Sequence, residues 1–261
     1  MTTTTYETLR LQRDGALLTI TLNRPAQYNA FSQAMHRELG LCLFELRHDP
    51  EIRLVILTGE GKAFSAGGDM TEPPPDTAAF ARGAAEGREI VYGLLECPQP
   101  VICRMNGDAI GLGATVALLC DFVIAADTAR IGDPHVRMGL VAGDGGALLW
   151  PLLVGPMLAK YYLLTGDLVA APEAARLGLI TRSVPVDALD GEVDVLARKL
   201  LAGAPLAQQF TKRSINAALK SMASLQFDLS LGYEGVTILS ADHAEARTAF
   251  VAKRRPTFEG R

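Results

Sequence analysis

Leu54-Val55-Ile56-Leu57-Thr58-Gly59-Glu60-Gly61-Lys62-Ala63-Phe64-Ser65-Ala66-Gly67-Gly68-Asp69 is the stretch on which the fold of this chain turns. Its first four residues form a continuous apolar run, the pattern of a strand buried on both faces. The run then breaks, and Ala66-Gly67-Gly68 makes a glycine-rich turn. The same grammar returns at Val101-Ile102-Cys103-Arg104-Met105, which runs through Asn106-Gly107-Asp108-Ala109-Ile110-Gly111-Leu112-Gly113 into an apolar helix. Phe122-Val123-Ile124-Ala125 reads as a third strand. Repeated units of buried strand, glycine turn and helix, joined by right-handed crossovers, predict a layered α/β core.

Working outward, Leu9–Gln12 and Ala16–Leu22 alternate around Arg13-Asp14-Gly15, a hairpin pattern. Ser32 is placed to cap a helix with Met35, Leu39, Leu43 and Leu46 on one face. Pro73-Pro74-Pro75 predicts a surface loop before a helix over roughly Thr77 to Leu95. From about Pro185 the pattern is helical, and Pro205 opens a new segment. The division expected is a core over residues 1–200 and a helical C-terminal region over 201–261, whose apolar face meets the core or a neighbouring subunit.

The chain has 261 residues, 49% hydrophobic and 21% charged, enough to bury a large core and too apolar for disorder. A net charge of −4 argues against a nucleic-acid partner, which needs basic residues gathered on one face. The short basic clusters Lys212-Arg213 and Lys253-Arg254-Arg255 read as solvated helix faces. Cys42, Cys97, Cys103 and Cys120 lack paired spacing and sit in apolar runs, as small buried hydrophobes of a reducing compartment do. Met1–Tyr6 has no basic and apolar regions of a signal peptide. The apolar stretch Ala109–Ala126 is interrupted by Thr115, Cys120 and Asp121 and fits a buried helix and strand better than a membrane span. These readings predict a cytoplasmic protein with no membrane partner.

Glycines after a strand let the backbone approach a ligand and leave amide N–H groups pointing outward. Two such amides aimed at one oxygen form an oxyanion hole. Competing motifs fit less well. Gly111-Leu112-Gly113-Ala114-Thr115-Val116 lacks the third glycine of a dinucleotide fingerprint, and Ala63-Phe64-Ser65-Ala66-Gly67 lacks the first glycine of a nucleophile elbow. Lys62 precedes its glycines, so there is no P-loop. His36, His48, His135 and His243 show no metal-ligand spacing, and no metal is expected.

Taken in order, Asn23-Arg24-Pro25…Asn29-Ala30, Gly61 through Met70, Asn106-Gly107…Gly111-Leu112-Gly113 and Cys120 through Ala125 resemble the signature of the crotonase (enoyl-CoA hydratase/isomerase) superfamily. Gly143-Asp144-Gly145-Gly146, Leu164-Thr165-Gly166-Asp167 and the ending Ala249-Phe250…Lys253 through Phe258 extend the match from about Tyr6 to the last residues. The resemblance implies an α/β fold with a crotonase-like ββα spiral core and a helical C-terminal trimerisation region. It implies a homotrimer, or a hexamer as a dimer of trimers, and an acyl-CoA substrate. Coenzyme A then enters as part of the substrate, with no prosthetic group. Carried over residue by residue, the amides of Ala66 and Leu112 form the oxyanion hole. Ala66, Gly67, Gly68, Asp69 and Leu112 line the coenzyme, and Arg24 contacts its phosphates. Leu112 stands where the family commonly has glycine, which a backbone donor tolerates if φ is negative.

Hydratases of the family carry two glutamates that hold and activate water; here those positions fall on Thr115 and His135. General acid–base groups contribute on the order of 10²–10⁴-fold each, so ordinary hydration needs substitutes. His135 and Asp144 are the substitutes in view, with a carboxylate orienting a histidine of near-neutral pKa. Pro134-His135…Gly143-Asp144-Gly145…Trp150-Pro151, with His36 on the first helix, looks like the β-diketone hydrolase branch of the superfamily, the 6-oxocamphor hydrolase type. Two activities stay open: an enoyl-CoA hydratase/isomerase-like enzyme, and a retro-Claisen C–C bond hydrolase using His135 and Asp144. A non-catalytic scaffold is the third, disfavoured by the retained turns and the new pair.

Overall fold

The computed structural model describes residues 5–73 and 75–261; Met1 to Thr4 and Pro74, within the expected Pro73-Pro74-Pro75 loop, lie outside the described residues. Strands β1 (Leu9–Asp14) and β2 (Leu17–Leu22) form the hairpin, in register from Leu9↔Leu22 to Asp14↔Leu17. The turn is therefore Gly15-Ala16, one step beyond the expected one, with Gly15 in the left-handed region at φ 55°. Helix α1 (Gln33–Leu46) starts where Ser32 accepts the Met35 N–H, and it buries Met35, Leu39, Leu43 and Leu46. Strand β3 (Leu54–Gly59) is buried at every residue, because β2 and β4 (Val101–Met105) flank it in parallel. Between them, α2 (Thr77–Glu96) is capped by the Asp76 side chain.

The chain continues through β5 (Ala109–Ile110), α3 (Leu112–Leu119), β6 (Phe122–Ala126), β7 (Arg130–Gly132) and α4 (Gly146–Thr165). It ends with β8 (Val169–Ala170), α5 (Ala171–Arg176), β9 (Arg182–Val184), α6 (Leu189–Leu201), α7 (Pro205–Ile238) and α8 (Ala241–Val251). The larger sheet runs β1-β2-β3-β4-β6-β9, parallel except for the opening hairpin; β5-β7-β8 forms a smaller one. Single bridges Phe31↔Gly68 and Ser65↔Ala109 extend the pattern of the smaller sheet. Each turn of the chain thus lays one strand in the large sheet, touches the second layer briefly, and returns through a helix. The second-layer contacts were not expected; they are too short to show as alternation.

The stretch 109–126 is a fully buried helix followed by a strand. A different segment, α4, is long and apolar enough by composition to cross a bilayer. Gly155 at φ 78° and Pro156 break it, and the part before the break, nine residues, rises only about 14 Å. Helix α7 begins at Pro205 as expected and packs on α2 and α4. Lys212 corrects the reading of a solvated face: it is 8% exposed, and its Nζ donates to Asp121 Oδ2 at 2.6 Å and Gln99 O at 2.8 Å. All four cysteines are free and buried, and burial pushes the Cys42 thiol up to about 12 and Cys97 to about 11.

Candidate active site

The two glycine turns lie side by side because the second layer pairs them. Ile110 N donates to Ser65 O at 2.9 Å, and Ser65 N donates to Asp108 O at 3.1 Å. Gly67 sits at φ 86°, where a Cβ would stand 2.8 Å from the Ile110 carbonyl oxygen. Glycine is required there by both dihedral and space. Ser65 is fully buried, and its Oγ donates to Asn29 O while accepting the Gly67 N–H, so it braces the turn rather than facing a ligand.

The amides of these turns do not all remain open. Ala66 N donates to Tyr28 O at 3.0 Å, which corrects its expected place in an oxyanion hole. One residue pair on, Phe31 N donates to Gly67 O and Asp69 N to Phe31 O, and among the described residues nothing accepts the Gly68 N–H. A side chain built on Gly68 would meet open space. Leu112 is the first residue of α3, a position whose N–H has no partner inside the helix, and its φ is not positive. Arg24 and Asp69 meet each other: Arg24 Nη1 donates to Asp69 Oδ2 at 2.8 Å and to Ala30 O at 2.6 Å. Asp69 Oδ1 also accepts from Thr71, so this pair braces the first turn.

His135 abuts the second turn, its Cε1 3.3 Å from where a Cβ on Gly111 would lie. The loop after β7 carries it, and its ring is bracketed by carboxylates. Nδ1 meets Asp133 Oδ1 in a short contact, and Nε2 lies 3.4 Å from Asp144 Oδ2. Asp144 Oδ1 is in turn 3.4 Å from Thr115 Oγ1. One carboxylate therefore reaches both Thr115 and His135. His36 faces the same group within electrostatic reach; its Nδ1 lies 3.1 Å from Ser32 O, which fixes the proton on Nδ1.

The Gly143–Gly146 turn is shaped by this cluster. Side chains added at Gly143, Gly145 and Gly146 would strike Glu234, Thr115 and Asp133 respectively. Glu234 comes from α7 and is 9% exposed, and neither its Oε2 nor Asp133 Oδ2 has a hydrogen-bond partner among the described residues. Burial pushes the Glu234 carboxyl up to about 8, against the pull of His135 and with the push of Asp144 and Asp133. For His135, burial disfavours the cation, yet Asp133 and then Asp144 outweigh it and hold the imidazolium well above its usual range. Burial lowers His36, so that ring is the neutral one.

Asp133 and Glu234 had no signal in the sequence: one reads as a loop acid before a proline, the other as an exposed helix residue. Asp133, His135 and Asp144 also form the one group of the described residues with ligand atoms within 4.8 Å of one another, the spacing a metal ion would need. Both ring nitrogens of His135 face carboxylates, an arrangement that favours a proton on each nitrogen when no cation is bound. The arrangement suits proton transfer close to the second glycine turn.

Residues 12–261 match the family model described as enoyl-CoA hydratase/isomerase. The 1,2-epoxyphenylacetyl-CoA isomerase of Escherichia coli K12 is 36% identical over 253 residues, 95% of this chain and 97% of that protein. The crotonyl-CoA hydratase of Syntrophomonas wolfei is 34% identical over 255 residues, 97% of this chain and 98% of that protein. The crystal structure of an enoyl-CoA hydratase/isomerase from Mycobacterium paratuberculosis matches with a TM-score of 0.88 at 38% identity, covering 92% of this chain and 97% of that one.

Proposed function

This chain belongs to the enoyl-CoA hydratase/isomerase family of enzymes, and on that footing we propose that it turns over an acyl-CoA thioester held at the Gly68 and Leu112 amides. Charge that develops on the thioester oxygen, as enolate or oxyanion, meets two N–H donors fixed by the second-layer pairing. Proton transfer falls to His135 and Asp144, which stand in for the two hydratase glutamates. The observation that carries this reading is Asp144 itself, in contact with both Thr115 and His135. The protein works in the cytoplasm as a homotrimer or hexamer, and coenzyme A is bound only as part of its substrate.

The His135–Asp144 contact also favours a second reading, hydrolysis of a β-diketone C–C bond by water activated at this pair. Three assays separate the readings: hydration of crotonyl-CoA, double-bond isomerisation of an enoyl-CoA, and cleavage of a bicyclic β-diketone. In the assay that succeeds, His135→Ala and Asp144→Asn are each expected to cut turnover by about 10²-fold or more with ligand affinity nearly unchanged. Robust hydration that survives both substitutions would show that the acid–base groups lie elsewhere.

A further inference from the structure

We propose that Asp133 is a positioning residue that holds His135 as a proton donor, so that Asp144 is the member of the pair that accepts a proton. Asp133 is wholly buried and cannot touch substrate, while His135 and Asp144 keep 14% and 17% of their side chains exposed. Its Oδ1 faces His135 Nδ1 and also accepts the His135 backbone N–H at 3.4 Å, so ring and backbone are aligned by one oxygen. With Nδ1 held by Asp133, Nε2 is the ring nitrogen left to Asp144, whose Oδ2 lies 3.4 Å away.

A histidine with a carboxylate at each nitrogen is held as imidazolium, and an imidazolium has nothing with which to take a proton. The roles divide accordingly: Asp144 takes one proton from the nucleophile or substrate, and His135 gives one from Nε2. Transfer from protonated Asp144 back to Nε2 across their 3.4 Å gap returns the pair to its starting state with no net gain or loss. The groups facing His135 come from several elements: Asp133 on its own loop, Asp144 before α4, Glu234 on α7 and His243 on α8. Glu234 in its acid form leaves the two aspartates to balance the imidazolium. His243, whose Nδ1 lies 2.8 Å from Met138 O, is kept neutral by burial and by the nearby Arg247 and His135 charges.

The assignment of roles rests on the proposed acid–base function of the pair, whereas the test is made without substrate. Long-range proton–nitrogen NMR of the histidine rings, with His135→Gln to assign the signals, reads the protonation state directly. In the wild type the His135 pattern is expected to be imidazolium at neutral pH and to persist above the ordinary histidine range. In Asp133→Asn the titration is expected to move down by about one pH unit or more. A neutral His135 in the wild type at neutral pH, or an unchanged titration in Asp133→Asn, overturns the proposal. Should Asp133→Asn fail to fold, Asp133→Ser and the wild-type spectrum decide the same question. A purely structural role for Asp133 would lower the melting temperature and leave the His135 titration in place. Failure of every thioester assay with an imidazolium His135 would reject the acyl-CoA reading alone.

Discussion

Glu234 is a carboxyl group held where water does not reach, with Asp133 and Asp144 close enough to raise it further. Between the ordinary carboxyl value of 4.5 and about 8, the folded chain keeps a proton that the unfolded chain has lost. Stability therefore falls as pH rises through that window, because the folded state binds more protons there. Glu234→Gln, neutral throughout, is expected to match the wild type at the acid end and to gain on it progressively up to about pH 8, then hold its lead. Urea melts of both proteins across about pH 4 to 9 measure this; a gap that does not change with pH would mean Glu234 is ionised in the folded protein. The titration of His135 in Asp133→Asn belongs to the same scale, since one buried oxygen sets its ring.

Among the elements, α7 is fastened to the sheet by a buried ion pair rather than by its apolar face alone. Lys212 reaches Asp121 Oδ2, which also accepts the Val101 N–H at 2.7 Å, so helix α7, the start of β4 and the turn before β6 share one carboxylate. Burial raises the Asp121 carboxyl, and Lys212 is the first of the groups that oppose this. Removing one partner leaves the other buried and unpaired, which costs about 3–5 kcal/mol. Lys212→Met is expected to destabilise the protein by that order, and Lys212→Met with Asp121→Asn to recover much of the loss. Denaturant midpoints at constant m-value check it; equal stability of Lys212→Met and wild type would count the pair as unimportant.

For the whole molecule, large apolar side chains stay uncovered on several helices. Met157 and Leu164 on α4 are 82% and 71% exposed, and Leu225 and Val236 on α7 are 77% and 71% exposed. Contiguous exposed apolar side chains are what an interaction surface presents. The homotrimer or hexamer proposed for this protein is expected to bury them. Sedimentation velocity at micromolar concentration should give a multiple of three chains. Met157→Lys with Leu164→Lys should shift the protein toward monomer while preserving its circular dichroism. A wild-type monomer would end the proposal.

Much of this was legible in the residues because it is local. A run such as Leu54–Leu57, a cap such as Ser32 and a glycine turn after a strand each declare themselves within a few positions, and helix periodicity marked the buried face of α1. Leu112, His135 and Asp144 came from motif order, and the structure brings the last two within 3.4 Å. The rest depends on partners far along the chain. Ala66 is removed as a donor by the carbonyl of Tyr28, and Gly68 is left open by pairing with Phe31; no local pattern says which amide is spent. Lys212 looked solvated until Asp121 and Gln99 closed on it. Asp133 and Glu234 became part of the site only when β7, α4 and α7 met. Periodicity records how a segment divides water from core, whereas hydrogen-bond ownership and the charge state of a buried acid are sums over everything packed around it.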